Sequence, residues 1–187
     1  MNEAVDLGRD RWNIRWAAEI SSRYHRRRAT WLNNVDFVLN IVQMVSATAA
    51  FVELSRGVPG RIAAVGTLTV ALCALVQIVG RLGKAAIDHE LIMKGWCDLL
   101  TEIDTTKLDA KSVGEWMRRK GELDKAHVGE LRALAVAAEN ETASALGVSG
   151  RQRRIYLVQW WLMHLMTVQR VFPIAPDVYP PTPDQAA

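Results

Sequence analysis

Cysteine is nearly absent from this 187-residue chain: Cys73 and Cys97 are its whole complement. They form no CxxC pair and cannot build a disulfide framework, which suits a reducing cytoplasm. Catalytic strings are missing too, since no GxSxG, phosphate loop or dinucleotide fingerprint occurs. The histidines do not replace them. His25 sits among arginines and reads as a solvated or headgroup-facing residue, His89 lies in Asp88-His89-Glu90 without the HExxH spacing, and His127 and His164 have no cysteine or carboxylate at ligand spacing. No enzyme, resident metal or cofactor is expected. Proline and glycine are absent from residues 9 to 56, so nothing there interrupts a helix. Finally, residues 37 to 52 and 62 to 80 contain no Lys, Arg, Asp, Glu or His.

What fills those charge-free stretches is apolar. Residues 62 to 80 are long enough for a bilayer core of about 30 Å, and the first run is close to that length if its flanks contribute, giving spans of about 35–54 and 62–80. A buried hairpin of a soluble protein is the competing reading, supported by a mean hydropathy near zero. Apolarity around the whole circumference opposes it, because a surface helix should show one wet face. The loop between the runs, with Gly57, Pro59 and Gly60, is the hairpin tip.

The flanks predict orientation. Arg23, Arg26, Arg27 and Arg28 precede the first run and Arg81 and Lys84 follow the second, against Arg56 and Arg61 in the loop. Basic residues near span ends stay cytoplasmic, so both termini are expected on the cytoplasmic side of a bacterial inner membrane. The first apolar run starts too deep for a cleavable signal. Arg151, Arg153 and Arg154 form a second basic group without acids beside it. With the four arginines of the arm, they are the candidate headgroup-facing residues, and membrane lipid is the expected partner. No nucleic-acid-binding module accompanies them, so nucleic acid is not expected.

The expected fold class is all-α: a two-helix transmembrane hairpin with an N-terminal amphipathic helix and a cytoplasmic helical bundle. Residues 1–34 form an Arg- and Trp-rich arm, with Trp12, Trp16, Ile20, Tyr24, Trp31 and Val35 at helical spacing. This stripe suits either headgroup contact or packing on the bundle. Residues 35–83 form the hairpin. Residues 84–172 form the cytoplasmic region, in which the pattern resumes after Gly80 and Gly83 and ends near Thr105. A capping box at Ser112 and Glu115 starts another helix, a break is expected near Gly121 or Gly129, and Gly147 suits a C-terminal cap. Glu139, Asn140 and Glu141 are placed to cluster with Arg132, although a solvated or capping role is simpler. Residues 155–172 read as an interfacial or bundled helix, with a third span as the alternative. Residues 173–187 are a Pro-rich tail.

Both spans carry a polar, small-residue stripe. On the first it runs through Asn33, Asp36, Asn40, Gln43, Ala47 and Ala50, and on the second through Gly66, Thr69, Cys73, Gln77, Gly80 and Lys84. Lipid cannot hydrogen-bond amides, so the stripes must face protein or water. Asn40, Gln43, Thr69 and Gln77 are therefore the candidate pore or helix-seam residues. Packing between helices and a hydrated path between several copies both account for them. One hairpin cannot shield both stripes, so a homo-oligomer is expected.

This order resembles the SLATT group, the two-transmembrane effector families of bacterial conflict systems and their phage-linked relatives. The resemblance rests on the arm with Tyr24-His25-Arg26-Arg27-Arg28, the hairpin, the helix through Trp96, and Leu131-Arg132-Ala133-Leu134 with Asn140-Glu141 before Gly147. It implies an oligomeric effector that permeabilises the inner membrane when a separate sensor protein or small-molecule trigger releases it. It carries over no catalytic residues. A membrane-anchored scaffold without a pore is the alternative, and a holin-like lesion former a third reading.

Overall fold

The computed structural model describes residues 2–57, 60–126, 131–148, 150, 152–153, 155 and 164. The fold is all-α, with helices α1 (Asn2–Ser55), α2 (Arg61–Gly80), α3 (Leu82–Thr105), α4 (Ala110–Ala126) and α5 (Arg132–Ala145). Apart from its last residue, Arg56, the stretch without proline or glycine lies within α1, which runs for 54 residues, Asn2–Ser55. Residues 155–172 as a helix, and the tail 173–187, lie outside the described residues apart from Ile155 and His164. Two compact units divide the chain, 28–89 and 1–27 with 90–187, and both boundaries fall inside helices.

In the unit made of 1–27 and 90–187, apolar side chains are hidden. Ile14 and Ala18 of α1 pack with Trp96, Leu99 and Ile103 of α3 and with Val113 and Trp116 of α4. A second cluster joins Tyr24 to Leu131, Leu134 and Ala138. The Leu131 amide donates to the Tyr24 hydroxyl at 3.1 Å, which fixes the entry of α5. The face of α1 that packs is thus Ile14, Ala18, Ser22 and His25. In the stripe expected from spacing, Trp12 is exposed and stacks on Trp16, with centroids 6.2 Å apart. His25, expected to be solvated, is instead fully buried, with its ring edge-on to Tyr24. It lies three positions after Ser22 and seven after Ala18, on the packed face, and helix phase outweighs its arginine neighbours.

Three helix ends follow local chemistry. Helix α4 begins at Ala110, and its cap is Asp109, whose carboxylate accepts the Ser112 amide at 2.7 Å and the Ser112 hydroxyl at 2.7 Å. The capping box expected at Ser112 is therefore displaced by three residues: Ser112 occupies the third helical position, and Glu115 pairs with Arg118 rather than reaching back. The Ser112 hydrogen bonds hold the Asp109 carboxyl below its ordinary value. The chain leaves α4 after Ala126, so Gly121 lies inside a helix, while Gly129 is outside the described residues. At the end of α5, Gly147 has φ +71°, Val148 N–H donates to Ala143 O and Gly147 N–H to Ser144 O, a Schellman closure. The last turn of α3 is met by Arg11, which donates to the Ile103 carbonyl at 3.1 Å, placing a cation at a helix C-terminus.

In the unit 28–89 the arrangement is reversed. Its two segments pair as a hairpin, and the 20 residues of α2 give about 30 Å of helix. Ala50, Ala63, Gly66 and Cys73 are buried in the seam. A Cβ at Gly66 would stand 2.7 Å from the Ser46 carbonyl oxygen and 3.1 Å from the Ala50 Cβ, so the close approach depends on glycine. At the open end Leu32 packs on Leu82 and Ala86. At the tip Gly57 has φ +75°, and the Glu53 carboxylate accepts the Ala63 amide, supplying α2 with the cap that Gly60 lacks. The break between α2 and α3 falls at Arg81, the one non-glycine residue with positive φ (46°) among the described residues, rather than at Gly80 or Gly83.

The outer surface of this unit is apolar. Met44, Phe51, Ile78 and Val79 are each at least 70% exposed, and Phe37, Val45, Ile62, Val65 and Leu68 are open as well. Two helical stretches, 6–55 and 61–105, are long and apolar enough to cross a membrane, yet only 6% and 17% of their most apolar windows are buried. A core hairpin of a soluble protein would have these windows covered.

Candidate functional site

The polar residues of the hairpin converge between α1 and α2. Gln43 donates from Nε2 to Gln77 Oε1 at 2.6 Å. Gln77 donates in turn from Nε2 to Asn40 Oδ1 at 3.0 Å and to Asp36 Oδ1 at 2.9 Å. Asn40 donates from Nδ2 to the other Asp36 oxygen at 3.2 Å. The donors therefore run in one direction and end on a carboxylate. Asp36, Asn40 and Gln43 reach the same partner because steps of four and three stack them along one side of α1. Gln77 is the single α2 residue that binds all three.

Three of the four candidate seam residues, Asn40, Gln43 and Gln77, are thus brought together. Thr69 is not with them, since its hydroxyl donates to the Val65 carbonyl one turn back on its own helix at 2.9 Å. Thr48 and Thr67 do the same to Met44 and Ala63. These short side chains satisfy themselves locally, whereas the amides reach across. Asp36 completes the network. It belongs to the stripe read from the sequence but lies just outside the charge-free run, so the run's boundary concealed it. Its spacing four residues before Asn40 is the signal that would have found it.

The candidate headgroup-facing arginines divide. Arg23 places Nη1 3.1 Å from Glu141 and Nη2 3.2 Å from Glu19. Arg27 donates to Glu141 through Nε at 3.0 Å and Nη2 at 2.7 Å. Partial burial opposes ionisation of Glu141, but the hydrogen bonds and charges of Arg27 and Arg23 outweigh it and hold the carboxyl below its ordinary value. Arg153 Nε lies 3.4 Å from Glu139, and its backbone N–H and C=O both pair with the Asn140 side-chain amide at 2.7 Å. Glu139, Asn140 and Glu141 therefore cluster with Arg153, Arg23 and Arg27, not with Arg132. Arg28 lies over the Trp31 ring at 4.8 Å, and Arg26 is exposed. Arg151 and Arg154 lie outside the described residues. Further along α1, Arg15 meets Asp104 at 3.0 Å.

Among the described residues no three His, Cys, Asp or Glu side chains gather as a metal would require. No family model, no curated protein and no solved structure matches the chain.

Proposed function

We propose that residues 28–89 are embedded in a membrane and that copies of the chain assemble there into an oligomer that permeabilises it. The setting would be the bacterial inner membrane, with the arginines before residue 37 and after residue 80 on the cytoplasmic side. The observation that carries this reading is the Asp36–Asn40–Gln43–Gln77 network inside an otherwise apolar helix pair. A tether needs no ionisable group at that position, and intramembrane polarity beyond what packing requires marks conduction paths. The outward apolar surface supports the embedding. The resemblance to two-transmembrane effectors agrees with it and suggests a trigger supplied by a separate protein or a small ligand.

A second reading, a membrane-anchored interaction protein without a pore, is favoured by one specific fact. Each amide nitrogen of the network donates to an acceptor within the same hairpin, so the cross-hairpin contacts form without a second copy.

Induced expression in bacteria with a potential-sensitive dye separates the two. The permeabilising reading expects loss of membrane potential and growth. It expects Gln43→Leu and Gln77→Leu to reduce both effects while the chain stays in the membrane fraction. Intact potential in the wild type under every trigger tried, or full toxicity in both leucine variants, returns the network to simple packing. For the anchor, deleting residues 112–172 removes partner recruitment and the leucine variants matter only through assembly.

A further inference from the structure

Near the hairpin tip, α1 and α2 leave a shallow groove of about 350 Å³ on the outer face. We infer that it holds one acyl chain of an anionic phospholipid, with the lipid phosphate on Arg61. The inference rests on the reading that residues 28–89 are membrane-embedded.

The groove exists because its floor is small. Ser46, Ala49, Gly66 and Thr69 line it, and the Gly66 contact that draws the helices together leaves no side chain to fill the space beside it. Its walls are the branched side chains of Val45, Ile62 and Val65, all at least 60% exposed. The lining is mainly apolar, since the Thr69 hydroxyl is bonded to the Val65 carbonyl and leaves its methyl at the surface, and Ser46 adds one small hydroxyl. A methylene chain suits such a lining. A volume of about 350 Å³ suits a single chain better than a packed helix about 10 Å across.

Charge sets the choice of lipid. Arg61 opens α2 at the mouth of the groove, is exposed, and makes no ion pair among the described residues. The nearby acid, Glu53, is engaged by the Ala63 amide. Arg56, also exposed at the tip, adds a second positive charge. A long cationic side chain at a span end reaches to the headgroup level, where a phosphate supplies the bidentate acceptor that a guanidinium prefers.

The full chain, purified in detergent and doped with equal phosphatidylglycerol and phosphatidylcholine, would be examined by lipid-resolved native mass spectrometry. Wild type retains phosphatidylglycerol preferentially, Arg61→Gln lowers that preference about fivefold, and Ala49→Leu, which fills the slot, lowers retention of both lipids. Arg81→Gln, at the opposite end of α2, leaves the preference unchanged. Equal retention by wild type and both groove variants overturns the proposal, and so does an equal loss in Arg81→Gln, which would mean diffuse charge attraction. Detergent-free fractionation separates this from failure of the underlying reading. A chain found in the supernatant removes both, whereas a membrane-bound chain without lipid preference removes the groove alone.

Discussion

Trp116 of α4 is fully buried, whereas Ile78 of α2 is 73% exposed, and the two side chains stand for two opposite ways of building a helical unit. In residues 1–27 and 90–187, tryptophans, leucines and isoleucines close on one another while arginines and carboxylates pair outside them. In residues 28–89 the apolar side chains point outward, and glutamines and an aspartate occupy the seam between helices. The first plan is stabilised by removing apolar surface from water. The second gains little from that in water and suits an apolar surrounding, where close packing and interhelical hydrogen bonds hold helices together. One chain carries both plans, and the boundary between them falls inside continuous helices.

That contrast can be broken at graded cost. Trp116→Ala should remove about 3 to 5 kcal/mol of stability from the 1–27/90–187 unit, while Ile78→Ala should change thermal unfolding in detergent by less than about 0.5 kcal/mol. Equal losses would show that α2 is covered after all. Gly66→Ala should cost about 1 to 3 kcal/mol, because the new methyl meets the Ser46 backbone and not a flexible side-chain end. Ala64→Gly, two residues away on the exposed side of α2, is the control and should cost no more than the helix-propensity difference of about 1 kcal/mol. Gln77→Leu should cost about 1 to 2 kcal/mol by leaving Asp36 and Gln43 without their cross-hairpin partner. A double-mutant cycle with Gln43→Leu should give non-additive losses. No coupling would mean the amides are not bonded in solution.

The smallest effect concerns the salt-bridged unit. Glu141→Gln should cost about 1 kcal/mol, modest because the carboxylate is more than a third exposed and screened. The folded carboxyl lies below its unfolded value near 4.5, so its stabilisation is present above that value and is lost as pH falls through the depressed folded value. Wild-type stability should therefore decline with acidification in that window more than that of Glu141→Gln, and 1 M salt should narrow the difference.

Much of the hairpin was legible because its signals are local. Two charge-free runs, a loop with Gly57, Pro59 and Gly60, a stretch from residue 9 to 56 free of proline and glycine, and polar or small residues at helical spacing each state a local conformation or a face. Gly147 and Thr105 were readable for the same reason. The other unit was less readable, because its identity depends on which distant surfaces meet. Nothing around Glu141 indicates that its partners are Arg23 and Arg27, more than a hundred residues earlier, and Arg132 was merely the nearest cation in sequence. His25 was misread by its neighbours instead of by its helical phase. Asp109 escapes notice because Ser112 offers a familiar pattern three residues later, although aspartate caps a helix as well as serine does. Thr69 had the right spacing, but a threonine can satisfy its hydroxyl on its own helix and a glutamine reaches farther.

Arg81 works as a joint. It holds the left-handed conformation without being glycine, at a cost of about 1 to 2 kcal/mol, while the glycines at 80 and 83 take no positive φ. The contacts of Leu32 with Leu82 and Ala86, one to five residues past Arg81, offset part of that local cost, so this short stretch gives up backbone ease in exchange for packing.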